Sequence, residues 1–470
     1  MKPGSGRPRL TEGPVGKSIR SLMLPMLMGM VALISYNVAD TWFIGRIGTM
    51  ELAAISFTFP VAFVMTAITM SFGIGTSSVA ARLFGADKRD EVTRVTLHAI
   101  LLGLATGIVV LAIGILTIDP IFTLLGADDT TLPIIHRYMR IYYFGGIFMV
   151  MPIITNSVLR ASGDAKTPAK LMTIAAIFNI VLDPIFIFGW MGIPAFGVEG
   201  AAISTVVSNA GSMVASVSIV YFRDKLIAFS GWNPGLILDS WKRILHVGIP
   251  SMTSSLIAPM TTAFITYQVA QFGPEAVAGF GVASRLEGLS LLALMALSAA
   301  ATPFVGQNFG SRKFDRVRDG VHWCYRFSGI YGLSVAVALF IAAPWIAEAF
   351  TDSDRAIYTA MLQMRIVPIS YVLLGVAMTV NGAFNAIGKP MPAMWVSLCR
   401  TVLVYAPLAF LLAHFFGLPG IFVAAATANI VAGSVGFVWF RSSIRKQMAE
   451  EQPVPEEAVA PAGAEVESKL

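Results

Sequence analysis

Residues 24–48 read LPMLMGMVALISYNVADTWFIGRIG, an apolar run long enough to cross ~30 Å of hydrocarbon as a helix rising ~1.5 Å per residue. Asp40 lies inside that run. An ionised carboxylate at such depth is costly on every transfer scale, so a chain that keeps one there is expected to use it. Tyr36 and Asn37 precede Asp40 by one helical turn and share its face. A polar stripe on an apolar helix points at a cavity or a partner helix and away from lipid.

The composition admits this reading. Of 470 residues, 56% are hydrophobic and 13% charged, with a mean hydropathy of +0.73, which is the range of polytopic membrane proteins. Cys324 and Cys399, the two cysteines, lie in apolar segments with neither a disulfide framework nor metal-ligand spacing, and read as small buried hydrophobes. Met1 to Arg20 is polar and basic, so the first apolar run reads as a full span and not as a cleaved signal peptide.

Twelve spans are expected, at 21–45, 52–79, 95–117, 135–159, 171–190, 199–222, 244–272, 276–303, 320–345, 357–387, 392–414 and 417–440. The connections alternate in charge. Arg82, Lys88, Arg89 and Arg94 follow the second span and Arg312, Lys313, Arg316 and Arg318 the eighth, whereas Asp119, Asp128, Asp129, Asp352 and Asp354 fall in the opposite set. The positive-inside bias places both termini and the basic loops in the cytoplasm, and it accounts for the net charge of +6 without nucleic acid.

An internal repeat at an offset of 225 positions organises these spans. Pro25, Gly48 and Ala53 recur as Pro250, Gly273 and Ala278; FGADKRDEV from Phe84 matches FGSRKFDRV from Phe309 at five of nine places; Asn156, Ala161 and Gly163 recur as Asn381, Ala386 and Gly388. FGVEG from Phe196 returns as FGLPG from Phe416 at a slightly shorter offset. The expected fold is therefore all-α and polytopic, with twelve transmembrane helices in two pseudo-symmetric six-helix lobes around a central cavity. The boundaries are a cytoplasmic segment at 1–20, an N-lobe at 21–222, a cytoplasmic linker at 223–243, a C-lobe at 244–440 and a disordered, acidic, Pro- and Ala-rich tail at 441–470.

The repeat does not copy the acids. Asp40 falls opposite Ile265, and a second intramembrane acid, Asp183 in IFNIVLDPIFIFGW, falls near Ala406. Coupling chemistry is thus expected in the first lobe, where two carboxylates with amide and hydroxyl neighbours in low dielectric would share a proton or hold a cation. Asn179 lies one turn before Asp183, and Pro184 is expected to disrupt the helix locally and free carbonyls. Arg285 and Glu287 in the eighth span either face the cavity or pair structurally, Arg365 and Arg400 are expected to snorkel or contact carbonyls, and His98, His246 and His322 sit at solvated helix starts. Met30, Asn37 and Gln268 complete the candidate cavity residues, methionine being suited to an adaptable apolar wall. No phosphate-binding G-x-x-x-x-G-K-[ST] loop and no filter-like T-V-G-Y-G run occur, which disfavours ATP-driven transport and a channel.

Over about residues 15–445 the chain resembles the multidrug and toxic compound extrusion (MATE) transporters, and among them the bacterial DNA-damage-inducible-F-type branch. The resemblance rests on LP early in the first span, NVADTWFIG around Asp40, the R-A-x-G-D turn after the fourth span, NIVLDP in the fifth and G-V-x-G-A-A at the start of the sixth. It implies antiport of organic, often cationic, compounds against protons or, alternatively, sodium, with no enzymatic activity, no cofactor, a bacterial inner-membrane location and a monomeric state. The branch's coupling network would map onto Tyr36, Asp40, Asn156, Asn179, Asp183 and Ser204 or Thr205, with sodium placed at Asp40, Asp183 and Asn179 if it is the ion. Asn156 sits nearer the cytoplasmic end than the others by depth along its helix. Protonation of Asp40 is expected to bend or repack the first helix. The alternative is a lipid-linked precursor flippase of similar fold, which would be expected to line its cavity with several cationic side chains; few Arg or Lys occur in mid-span.

Overall fold

The computed structural model describes residues 10–228 and 233–450, and among these it contains helices and connecting turns. Twelve long helices run as α1 (Val15–Ile47), α2 (Phe59–Gly85), α3 (Arg89–Leu116), α4 (Leu132–Ala161), α5 (Lys166–Phe188), α6 (Val198–Arg223), α7 (Pro234–Ala270), α8 (Pro274–Gly310), α9 (Phe314–Phe350), α10 (Asp354–Ala386), α11 (Pro390–Phe416) and α12 (Leu418–Glu450). Eleven of them are long and apolar enough to cross a membrane by composition alone. The other is α7, where MTSSLIAPMTT from Met252 dilutes the apolar run with hydroxyls and a proline.

The pairing of helices repeats between the halves. In the first half α1 packs on α5, α2 on α3 and α4, α3 on α4, and α6 on both α4 and α5; in the second half α7 packs on α11, α8 on α9 and α10, α9 on α10, and α12 on both α10 and α11. The contacts between halves are also reciprocal, α1 with α8 and α2 with α7, closed by α2 against α8. Helix boundaries keep the 225-residue offset: α2 and α8 end at Gly85 and Gly310, α3 and α9 begin at Arg89 and Phe314, and α4 and α10 end at Ala161 and Ala386. Even the left-handed residues recur, Asp87 (φ 59°) with Arg312 (φ 58°) and Gly163 (φ 93°) with Gly388 (φ 76°). Two non-glycine residues held at positive φ in equivalent places show that the tight turn, and not only the hydrophobic pattern, is duplicated.

Several sequence expectations shift. The span at 52–79 is broken into a short helix, Thr49–Ser56, and α2, because Pro60 starts a new helix at its first turn; α8 runs unbroken through the equivalent region. Pro184 does not interrupt α5, which continues to Phe188, since one missing N–H is tolerated within an otherwise bonded helix. The linker at 223–243 is shortened, because Pro234 at the first turn, capped by the Asn233 side chain, starts α7 ten residues early. The disordered-tail reading is corrected up to Glu450: no proline intervenes before that point, and Ile444 is buried against the core, so α12 continues. The rest of the tail, 451–470, and residues 1–9 lie outside the described residues. His98 is buried and within hydrogen-bond distance of Ser240 Oγ at 2.8 Å, while Trp241 donates to the His98 carbonyl at 2.9 Å, so α3 is tied to the start of α7 and not solvated there.

At the end carrying the basic loops the two halves meet. A core cluster of Ile19, Leu22, Leu297, Phe304, Val380 and Phe384 joins α1 to α8 and α10. Around it Gln307 donates to the Ala161 carbonyl at 2.7 Å, Ser78 donates to the Asn385 carbonyl, and Arg316 holds the carbonyls of Leu10, Glu12 and Gly13 at 2.9 to 3.2 Å. Gly85 lies so close to Gln307, and Gly310 to Arg82, that a Cβ on either would collide with the opposing carbonyl oxygen.

The R-A-x-G-D turn fixes the start of α5. Asp164 accepts from the Thr167 amide at 3.0 Å and the Thr167 hydroxyl at 2.7 Å, and from Arg223 at 2.8 Å. Burial opposes its charge, but these hydrogen bonds outweigh burial and hold the carboxyl below its ordinary value. Loss of this cap in Asp164→Ala is expected to lower stability by about 1–2 kcal/mol, read as a lower unfolding temperature in detergent. Because the folded pKa is depressed, the stabilisation is complete above about pH 4 and fades as pH falls through the lowered value, so wild type and variant should converge in acid.

Candidate functional site

Residue placement within the first half builds a cavity of about 440 Å³ between α1, α2, α4, α5 and α6. Its apolar wall includes Leu33, Phe59, Phe63, Met70, Met149 and Met172, and its polar wall includes Tyr36, Asn37, Tyr142, Asn156, Arg160, Asn179, Thr205 and Ser208. That mixture, mostly apolar with a few convergent polar groups, is the usual make-up of a small-molecule site.

Beside the cavity sits the acid pair. Asp183 is fully buried, and Ser204 of α6 donates a hydrogen bond to its Oδ1. Asn179 reaches the hydroxyls of Ser204 and Thr205, each at 3.5 Å, the outer limit of a hydrogen bond. Asp40 is half-buried on α1 and close enough to Asp183 for the two charges to act on each other, with Tyr36 within electrostatic reach of both. Asp40 Oδ1, Asp183 Oδ2, Asn156 Oδ1 and Asn179 Oδ1 are all buried without a hydrogen-bond donor among the described residues. Buried acceptors left unmatched are expensive, and a group of four in one region is a place where a proton or a cation gains contacts.

All seven expected coupling residues therefore fall in or beside one region. Asn156, placed deeper by its position along α4, shares the cavity with Tyr36, Asn179 and Thr205. Asn37 also lines it, although its amide donates back to the Leu33 carbonyl at 2.8 Å. The remaining cavity candidates lie elsewhere. Met30 packs against the core cluster joining the halves, because its position on α1 turns it toward α8. Gln268 is buried near the far end of α7, where its side-chain oxygen accepts from Gln271 at 3.2 Å. Glu287 accepts from Gln363 of α10 at 2.9 Å, a structural pairing within the second half, and Arg285 is exposed on α8. The Arg365 guanidinium lies 5.2 Å from the Phe340 ring centroid, over the face of the ring.

Sequence reading missed three contributors on α4. Tyr138 and Tyr142, stacked at 5.8 Å, stand within electrostatic reach of Asp40. Their four-residue spacing, which puts both rings on one helix face, was the available signal. Arg160 lines the cavity near the end of α4; it donates to Ser157 Oγ at 2.6 Å and has no carboxylate partner among the described residues.

Two six-helix halves of one repeat, closed against each other at one end, with a mixed polar and apolar cavity in one half and a pair of acids beside it, define a membrane transporter. The chain belongs to the MatE family, whose profile matches residues 25–185 and 250–411. It is 33% identical over 425 residues to the FAD transporter of Shewanella oneidensis, covering 90% of this chain and 94% of that protein. It is 26% identical over 417 residues to the multidrug export protein MepA of Staphylococcus aureus, covering 87% and 90%. Among solved structures it is similar to the Vibrio cholerae MATE transporter VcmN in the bent form, with a TM-score of 0.89, 30% identity and coverage of 93% and 99%.

Proposed function

We propose that the protein exports small organic compounds in exchange for inward protons by alternating access, with Asp40 and Asp183 as the coupling pair. The observation that carries this reading is the set of unmatched buried oxygens in the first lobe, on Asn156 and Asn179 at the wall of the cavity and on Asp40 and Asp183 beside it. With the basic loops in the cytoplasm of a bacterial inner membrane, the tight closure at that end makes the present arrangement outward-facing, and the chain works as a monomer with both termini inside. Protonation from outside neutralises the pair, removes the charge and with it the hydration that held α1 in place, and lets α1 repack into the cavity so that substrate leaves. Return to the inward-facing state releases the proton. A ligand or proton moves such an equilibrium only through its differential affinity for the two states, and shifting 1:99 to 99:1 takes about 5.5 kcal/mol.

Proteoliposomes loaded with a fluorescent organic cation test the coupling ion. A pH gradient alone should drive transport and a sodium gradient alone should not. Transport that follows only sodium would make the same oxygens a sodium site, since this ion takes oxygen ligands, and movement with neither gradient would favour the lipid-precursor flippase.

Arg160 favours a second reading of the substrate. A guanidinium without a carboxylate partner at the cavity wall suits the anionic part of a ligand, bound bidentately. An aromatic compound carrying phosphate, such as the flavin dinucleotide named for the Shewanella relative, belongs in the same assay beside organic cations.

A further inference from the structure

A second cavity, of about 460 Å³, lies outside the transport site, between α9 and α12 at the end of the basic loops. Its floor is apolar: Val321, Phe440 and Ile444 are buried, and the rings of Tyr325 and Phe437 meet across it at 5.4 Å. Its rim is cationic. Arg318 and His322 are one turn apart on α9, and Arg441 and Arg445 one turn apart on α12, so two helices each present a pair of basic side chains to one groove.

The acids nearby offset only one member of this rim, Arg318. Asp315 and Asp319 lie on α9 outside the groove, at 3.2 and 3.6 Å from Arg318. Arg441 and Arg445 have no carboxylate partner among the described residues and are exposed. The His322 ring nitrogen Nδ1 lies 2.8 Å from the Arg318 carbonyl; a carbonyl can only accept, so Nδ1 donates there and Nε2 is left to face outward.

The level of the groove in the membrane follows from sequence. Arg441 is the first charged residue after the apolar stretch of α12, and Arg326 the last before that of α9, so the cationic rim stands where hydrocarbon gives way to headgroups. An apolar floor below a rim of guanidinium groups matches a ligand with an anionic phosphate head and acyl chains. Fixed guanidinium forks bind phosphate oxygens bidentately, and basic pockets between helices on the cytoplasmic face are where anionic lipids bind. We propose that this groove is a binding site for an anionic phospholipid, whose phosphate is held by Arg441 and Arg445 with His322 and Arg318 at its edge, and whose chains lie against Tyr325 and Phe437. A lipid there would clamp α9 to α12, two helices of the second lobe that otherwise make few contacts at this end.

Native mass spectrometry of the full chain in detergent, titrated with phosphatidylglycerol, phosphatidylcholine or inorganic phosphate, tests the site. Wild type should hold phosphatidylglycerol in preference to phosphatidylcholine, and R441Q/R445Q should lose roughly ten- to thirtyfold of that affinity while its phosphatidylcholine binding and unfolding temperature stay unchanged. Both substitutions lie on an exposed helix surface, so folding is not at stake. Equal phosphatidylglycerol affinity in wild type and variant would overturn the proposal. So would inorganic phosphate competing at the same concentration as the lipid, which would make the groove a soluble-anion site.

Discussion

Asp40→Asn is expected to abolish pH-driven efflux while leaving the protein folded and able to bind substrate. The substitution keeps the size and most of the hydrogen-bonding capacity of the side chain, so the packing of α1 against α5 should survive. What it removes is a titration. A neutral amide beside the first-lobe cavity places α1 permanently in the state proposed for the protonated carrier, and a switch with no differential response to protons cannot be driven by them. Transport under an imposed pH gradient should fall to the level of empty liposomes, while the unfolding temperature stays within a few degrees of wild type. Ser204→Ala should act more mildly, because it deletes one hydrogen bond to Asp183; a bond to a charged group is worth about 1.5–3 kcal/mol, and its loss should shift the pH dependence of transport and not end it. Efflux by Asp40→Asn that still follows the pH gradient would remove Asp40 from the coupling scheme.

Gly310→Val and, independently, Gly85→Val should drive the transporter away from the arrangement in which its two lobes close at the end of the basic loops. At an ordinary exposed helical position, replacing glycine by a residue with a Cβ stiffens the chain, alanine gaining about 0.5–1 kcal/mol over glycine. Here the sign reverses. A Cβ on Gly310 would collide with the Arg82 carbonyl oxygen of the other lobe, and one on Gly85 with that of Gln307, and a backbone carbonyl inside a helix cannot rotate aside. Overpacking of about 1–3 kcal/mol would shift the balance between lobe arrangements some five- to 150-fold. In a background lacking Cys324 and Cys399, a cysteine at Ser78, buried at this closure, should become reactive from the cytoplasmic side toward a membrane-impermeant maleimide in either glycine variant and stay protected without it. The two variants should agree, since their contacts are equivalent under the repeat. Unchanged protection in both would mean that the closure is not the element separating the two states.

Much of the architecture was written in linear features. A register of 225 positions, kept without net gaps from Pro25 to Gly163, already implied two equivalent lobes, and the reciprocal packing of α1 on α8 and α2 on α7 is its spatial form. Asp40 and Asp183 stood out because an apolar span seldom keeps a carboxylate that it does not use. The parts that were illegible depend on what lies across from a residue. Nothing local distinguishes Met30, turned toward the core between lobes, from Met70 or Met172, turned toward the cavity. Arg160 looked like one more basic residue at a cytoplasmic helix end, and only the convergence of α4 with α5 and α6 puts it at the cavity wall. Pro184 misled for the opposite reason: a proline removes one backbone donor, but whether the helix breaks depends on the neighbours that support it, and α5 is packed by α1, α6 and α4. His98 likewise sits at a helix start that the early beginning of α7 covers.

The confinement of both acids to one lobe also limits what a cycle can carry. In the exchange proposed above, the Asp40 and Asp183 carboxylates set a ceiling of two protons per turnover. When one monovalent cation leaves for two protons entering, one net positive charge crosses inward, and the exchange then draws on membrane voltage as well as on pH, by about 2.3 kcal/mol for each 100 mV. A one-for-one exchange is electrically silent. In that proposed exchange, the ratio of substrate to protons decides whether transport continues in a cell whose pH gradient has collapsed but whose membrane remains polarised.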